Sequence, residues 1–458
     1  MNNKFKLLFI PTLTIWSNFA AADAILFDFE LTPEVVTPEE SVTSASQQIV
    51  GQIGGIREAD RTNSQTQLYN TLLYASTSRG SEDPAIRAQA ETIYKAVSPK
   101  TNSANTIVSR KNPASISVKG IGKRLASLRR KNSRVSFLPA IPRSKMSDSN
   151  SPYLLSPGLK KANNANESGG LLDQRLSGFF SGNMVSSQQT ETATEAGFDG
   201  NTRQFTAGAD YRLNNKSFIG MALSYVNGEM SIDRNGGSLN NTANTLITYG
   251  SYNISPVWYV DATISSGQRS FEMKRKIQFT TATGSTLLTA LSKPDSNFYS
   301  FSIGTGYDLN WSNGNDFSFL TSFNYLDTSI NAFSETNAGG YNLAVSKQDI
   351  VSASLNAGIT WRKAISASFG VLLPQISISW TQEFADKSDA INAHFIADPG
   401  NNAINYETTN KDLGYMNILL GLSAVFPYGL SGFLQYDTQQ LTSDYQQDVF
   451  SIGLRQEF

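Results

Sequence analysis

Two rhythms divide the chain. From about residue 173 to the end, apolar and polar positions alternate with a period of two. In "RQFTAGADYRL", Phe205, Ala207, Ala209 and Tyr211 share one face; Thr206, Gly208, Asp210 and Arg212 share the other. "WYVDATIS" sets Trp258, Val260, Ala262 and Ile264 against Tyr259, Asp261, Thr263 and Ser265, and "PQISISW" behaves alike. Such alternation predicts strands with one apolar and one polar face. About twelve segments show it, near 173–184, 203–212, 216–228, 243–253, 256–275, 296–310, 315–331, 349–362, 367–382, 411–425, 430–441 and 447–458. The connections after every second segment are short: "NNK", "SP", "SNGN", "KAIS" and "PYG". The connections between those are long, except the last. An antiparallel barrel with one tight rim and one open rim has this alternation, and a sandwich has no reason for it.

Residues 25 to about 170 lack the period of two. "DPAIRAQAETIYKAV" opens with Asp83 as N-cap and Pro84 in the first turn. Ile86, Ala90, Ile93 and Val97 then recur at helical spacing. "GIGKRLASLRRK" places Ile121, Leu125 and Leu128 on one stripe, ringed by Lys123, Arg124, Arg129, Arg130 and Lys131. Between Lys100 and Lys145 there is no acidic residue. The stretch 135–172 is rich in Ser, Asn, Pro and Gly, a linker composition.

Alternation alone does not say whether the apolar face meets a core or lipid. Three features favour lipid. Trp258, Trp311, Trp361 and Trp380 fall near predicted strand ends, as an interfacial aromatic belt requires. The polar face carries more Asp, Arg, Gln and Ser than a dry core could satisfy. The N-terminus also carries export signals: Lys4 and Lys6, then "LLFIPTLTIW", then "FAAADA". That pattern predicts a signal peptide over residues 1–24, with cleavage expected after Ala22 or Ala24. The fold class expected is an all-β transmembrane barrel of about twelve antiparallel strands with a short, mainly helical N-terminal region.

Composition narrows the chemistry. The 458 residues carry a net charge of −1, which gives no steering toward nucleic acid. There is no cysteine, so thiolate metal sites, redox motifs and disulfides are all excluded. The single histidine, His394, lies in "INAHFIADPG" with no nucleophile motif to pair with. No catalytic or metal signature is present, so neither enzyme activity nor a cofactor is expected. Three placements suit the basic helix around Lys123, Arg124, Arg129 and Arg130. It can pair in the lumen with carboxylates such as Asp210, Asp261 or Glu383, touch acidic lipopolysaccharide, or be solvated. The polar barrel face favours the lumen.

The stretches "FTAGADYRL", "IGMALSYVNGEMSID", "ITYGSYNI", "WYVDATISSGQRSF", "SFGVLLPQISISWTQEF", "LGLSAVFPYGLSGFLQYD" and "SIGLRQEF" resemble, in order and spacing, the autotransporter β-domain of type V secretion. The resemblance runs from about Gly170 to Phe458. It implies a twelve-stranded outer-membrane barrel of Gram-negative bacteria with a helix threading the pore. "IGKRLASLRR" is similar to that pore helix, giving a candidate over 113–132, and residues 25–134 resemble a short helical passenger. The implied partners are outer-membrane lipid, lipopolysaccharide, the barrel-assembly machinery and periplasmic chaperones, for a chain expected to be monomeric. The implied assembly signal is Ser451, Gly453 and Phe458; Gln456 departs from the family's aromatic pattern. Asn163–Asn164 matches the paired asparagines at which some members self-cleave, but without their helical flanks. The function expected is export, display or plugging by the chain's own N-terminal region. Loop-mediated adhesion, a small-solute pore and, more weakly, a hydrolase at the rim are the alternatives.

Overall fold

The computed structural model describes residues 36–110, 175–281, 284–311, 314–388, 390–408, 413–426 and 430–457. The expected signal peptide, pore helix 113–132, linker 135–172, Asn163–Asn164 and Phe458 lie outside these residues.

Twelve antiparallel staves form the barrel. They are β1 (Leu176–Gln189), β2 (Phe198–Arg212), β3 (Ser217–Ile232), β4 (Gly237–Asn253), β5 (Trp258–Thr281), β6 (Asp295–Asn310), β7 (Asn315–Ile330), β8 (Gln348–Lys363), β9 (Gly370–Ser388), β10 (Gly414–Val425), β11 (Leu430–Gln440) and β12 (Tyr445–Glu457). Each pairs with its neighbours in sequence, and β1 pairs with β12 to close the ring. The seam runs in continuous register from Ser177↔Glu457 to Gln189↔Tyr445. Closure leaves no free edge among the staves, which a wall immersed in lipid requires. No helix among the described residues is long and apolar enough to cross a membrane.

The lower wall is apolar outside and polar inside. Met221 (56% exposed), Leu223 (66%), Ile264 (61%) and Leu454 (58%) point outward. Inside, Asn183 Nδ2 donates to Gln204 Oε1 (3.0 Å), and Gln204 Nε2 donates to Ser224 Oγ (2.9 Å). That chain crosses three staves and satisfies groups that would be costly if left unmade. Trp258, Trp311 and Trp361 stand at the tight-turn rim, and Trp380 sits ten residues up β9 at the opposite lipid boundary.

Above the lipid band the pattern inverts. Along β5, Thr263 and Ser265 face inward and Ile264 outward. Further up, Phe271, Met273, Ile277 and Phe279 face inward while Ser270, Glu272, Lys274 and Lys276 face outward. Staves β2 to β4 do the same, with Phe198, Met230, Ile232 and Leu239 buried inside and Asp199, Glu229 and Asn240 outside. The upper wall thus has the polarity of a soluble barrel, with water outside and a packed interior.

This inversion explains where the strand expectations fell short. Staves β1 to β5 run past their expected ends on the long-loop side, because the alternation there continues with its faces exchanged. The connection after β3 was expected to be long. It is a tight turn over 233–236, with Arg234 and Asn235 at φ 53 and 59. The tight-turn rim follows the sequence expectation.

Candidate functional site

The N-terminal helices meet the barrel at its long-loop mouth. Among the described residues, four α-helices precede the barrel: α1 (Pro38–Gly55), α2 (Asn63–Arg79), α3 (Pro84–Val97) and α4 (Ser103–Arg110). Helix α3 starts as its sequence predicts, with Asp83 accepting from Ala85 N at 2.8 Å. Helices α1 and α2 lie in the region expected to be mainly helical but were not singled out individually. Each begins with a capping box, Thr37 with Glu40 and Thr62 with Gln65. Those two boxes, and the spacing of Val42, Ala45, Ile49 and Ile53, were the available signal. Their Ser-, Thr- and Gln-rich composition hid it.

These helices share one core with the barrel loops. Val42, Ile49 and Ile53 of α1, Leu68 and Leu72 of α2, and Ile93 and Val97 of α3 pack with Tyr341, Leu343, Ile391, Phe395, Ile404 and Tyr406. The loop residues come from two connections, 331–347 and 389–413. Short strands Phe333–Ser334, Leu343–Val345, Ile391–Phe395 and Ile404–Tyr406 join them in a four-stranded sheet. Neither half is a complete core alone. Hydrogen bonds fix the register between them. Asn405 N donates to Ser41 Oγ (2.7 Å), Gly340 N to Gln67 Oε1 (3.0 Å) and Tyr406 OH to Pro99 O (2.9 Å). The Thr71 and Tyr341 hydroxyls lie 2.7 Å apart. Burial raises the Tyr406 hydroxyl well above its ordinary pKa, with the Glu39 and Glu195 charges adding to it, so it remains a neutral donor.

Helix α4 enters the mouth itself. Ala104, Ile107 and Val108 fill the inverted upper lumen against Phe198, Met230, Leu239, Phe271 and Met273. Ser103 Oγ accepts from Ala196 N (2.9 Å), Thr106 Oγ1 donates to Gln348 Oε1 (3.2 Å), and the buried Arg269 donates to Val108 O (2.9 Å). Arg269 thus reaches inward from the wall to a carbonyl near the helix C-terminus, where a cation is favoured.

Among the described residues, two ionic clusters join the helices and loops to the barrel. Arg275 and Glu335 form a bidentate pair at 2.8 and 2.6 Å, each about 1% exposed. The pair has further partners: Arg275 also donates to Tyr341 O (2.8 Å), and Glu335 accepts from Leu343 N (3.0 Å). At the periphery, Glu191 meets Lys95 (3.0 Å), Lys100 (3.1 Å) and Arg234 (2.8 Å).

Burial alone would raise the Glu191 pKa. Hydrogen bonds and charge from Lys95 and Lys100 outweigh it and bring it below 4.5. Glu191 therefore stabilises the docked helices above pH 4.5, and that contribution is lost as pH falls through its lower folded value. Asp233, raised by burial and by the Asp199 and Glu191 charges, works in the opposite sense. Glu191→Gln is expected to weaken docking by about 1 kcal/mol at neutral pH and to flatten its acid dependence. Proteolysis of 84–110 at pH 3.5 and pH 6 measures this, and an unchanged acid dependence would assign the effect elsewhere.

A family model for the autotransporter β-domain matches residues 179–437, more than half of the chain. The chain belongs to the autotransporter β-domain family. The family is one of outer-membrane barrels. No curated protein matches it by sequence. Among solved structures, it is similar to the translocator domain of the autotransporter NalP from Neisseria meningitidis, at 13% identity and TM-score 0.49, covering 63% of this chain and 91% of that one. The β-domain of the Bordetella autotransporter BrkA gives 13% and 0.46, covering 62% and 100%. The transport unit of AIDA-I from Escherichia coli gives 13% and 0.42, covering 66% and 94%. At these values the likenesses add no argument to the family match.

In this autotransporter barrel, two of the three anticipated assembly residues, Ser451 and Gly453, lie on the closing stave, and Phe458 lies outside the described residues. Phe450, Ile452 and Leu454 face lipid, while Ser451 and Gly453 face the lumen. Gly453 also has a packing reason to be glycine: a Cβ there would lie 2.6 Å from Phe433 Cζ. Gln456 is half-buried on the seam, its backbone paired with Gly178 and Leu430. Lys123, Arg124, Arg129 and Arg130 fall outside the described residues; Asp210, one of the carboxylates considered for them, faces inward. His394 lies mid-strand, paired with Ala344, on the face opposite Ala393 and Phe395. No group of three or more His, Asp or Glu side chains able to hold a metal comes together among the described residues.

Proposed function

We propose that the barrel carries its own helical region to the cell surface and keeps it there as a folded cap on the mouth. The supporting observation is the shared core of α1 to α3 with loops 331–347 and 389–413. A passenger destined for release has no use for a hydrophobic face that is complete only on its own barrel. In outer-membrane barrels the long loops face outward, which puts the cap outside. Arg110 ends at the mouth and β1 starts at the opposite rim. Display and closure are then one act, since α4 occupies the mouth while the cap sits over it.

Two measurements test this. A protease added to intact cells should cut at exposed cap sites such as Arg57 and Arg87 once docking is weakened by urea. Complete protection there would defeat display. In planar bilayers, deleting residues 36–110 should raise single-channel conductance several-fold, and unchanged conductance would defeat closure.

A further inference from the structure

The barrel staves pair round the ring, but above them, among the described residues, a hairpin edge lacks a full partner strand. Stave β5 continues past the mouth into a hairpin with the strand Gly284–Ser292, in register from Met273↔Ser292 to Thr281↔Gly284. The inner face of this hairpin, with Ile277, Phe279 and Ala290, belongs to the cap core. The outer edge of its second strand is used only in part. Leu291 N and O exchange hydrogen bonds with Thr336 (2.9 Å each), and Asn337 Nδ2 donates to Thr289 O (3.1 Å). At Asn337 the chain takes φ 72 and leaves the edge.

Those bonds show which backbone groups point away from β5. Leu291 and Thr289 do, so by the period of two Leu287 and Ser285 do as well. Ser285 is exposed, Leu287 is 66% exposed, and a Cβ on Gly284 would meet nothing within 4 Å. The stretch "GSTLLTALS" has no charge and no proline, the usual devices that blunt such an edge.

We infer that residues 285–289 are a self-pairing edge that joins two copies of this chain, antiparallel, with Leu287 on the two-fold axis. The register argues for a second copy. Centring on Leu287 opposes Leu287 to itself and Ser285 to Thr289. It therefore matches apolar to apolar and hydroxyl to hydroxyl on the outer face, in the hydrogen-bonded class of pair that the outward groups require.

The orientation of the hairpin sets the geometry of the pair. The hairpin extends the barrel wall, so its sheet stands roughly upright on the membrane. An antiparallel pair has its two-fold axis perpendicular to the sheet, hence parallel to the membrane. The partner barrel then points the opposite way, into a facing membrane. Leu287 lies opposite Gln278, ~45 Å along the strand from Ile264, the last lipid-facing apolar residue of β5. The contact is therefore one between cells. It involves few residues and is weak singly, so it acts through many copies at once. This rests on the reading that the long-loop end faces outward.

The absence of cysteine from the chain makes a direct test available. The opposed Leu287 Cα atoms would sit roughly 5.5 Å apart, within disulfide reach. Full-length protein carrying Leu287→Cys should form a disulfide dimer at least ten-fold faster than Leu291→Cys, which is on the same strand but off the axis. Equal rates would mean random collision and overturn the inference. Adding Thr289→Pro to Leu287→Cys should remove the advantage, because residue 289 donates away from β5 and the hairpin ladder is untouched; an undiminished rate would overturn the edge geometry. Mixing two cell populations with differently tagged Leu287→Cys protein should give mixed dimers. Dimers within one population alone would refute the facing-membrane arrangement. A membrane-impermeant thiol reagent on intact cells separates the two readings: unlabelled protein defeats the outward-facing reading, whereas labelled protein without dimers defeats the self-pairing edge alone.

Discussion

Glu335→Ala is expected to unlatch the cap while leaving the barrel assembled. The substitution strands the Arg275 guanidinium, about 1% exposed, without its carboxylate. Breaking one side of a buried pair costs roughly 3–5 kcal/mol. The loss falls on the junction of the cap with the wall, since Glu335 also holds Leu343 N and Arg275 holds Tyr341 O. Tyr341 in turn meets Phe279 edge-on, with centroids 5.8 Å apart, and reaches Thr71 on α2. The residues that keep β5 and β6 paired in the lipid band are remote from this point. The variant should therefore remain heat-modifiable on gels, a sign of an intact barrel, while α1 to α3 become sensitive to trypsin. The pair Arg275→Met with Glu335→Leu should recover most of the protection, because it removes the buried charge with its partner. A variant with native cap protection would show that the ion pair does not bear on docking.

Gly453→Val should impair insertion into the outer membrane severely. The reason distinguishes two roles for the same residue. If Gly453 acts only as part of a terminal recognition signal, no substitution elsewhere will rescue it. The geometry supplies another reason, because the Phe433 ring of β11 lies over the bare backbone and the Phe180 carbonyl oxygen is 3.2 Å from where a Cβ would stand. Overpacking at such a place costs about 1–3 kcal/mol or more, and it falls on the stave that closes the ring. Phe433→Ala should then restore a large part of the assembled barrel to the Gly453→Val chain. Heat-modifiable protein in the membrane fraction measures both. Failure of the second substitution to restore it would return Gly453 to the recognition role alone.

The legibility of the chain followed its polarity. All twelve staves were visible, because a lipid-facing strand must alternate and a tight rim must turn quickly. The inner Trp belt was visible for the same reason. The strand ends of β1 to β5 were not, since Phe271 and Met273 continue the alternation of Ile264 on the other parity. Helix α3 was marked by Asp83 and Pro84, while α1 and α2 were obscured by a polar composition suited to small buried contacts such as Ser41 and Ser46. The cap interface was the least legible part. Tyr341, Glu335 and Tyr406 are loop residues whose importance comes only from what folds against them. Nothing local to "SETNAGGYNLAV" announces a partner on α2.

The exchange of faces along β2 to β5 also sets the height of the barrel in its membrane. Pushed inward, the wall would drag Arg203, Glu229 and Glu272 into hydrocarbon; pulled outward, it would lift Leu223 and Ile264 into water. Both displacements are penalised by the same strands, so the barrel has one axial seat. The mouth, the cap and the open hairpin edge are therefore held at a fixed distance above the lipid, as if on a graduated post.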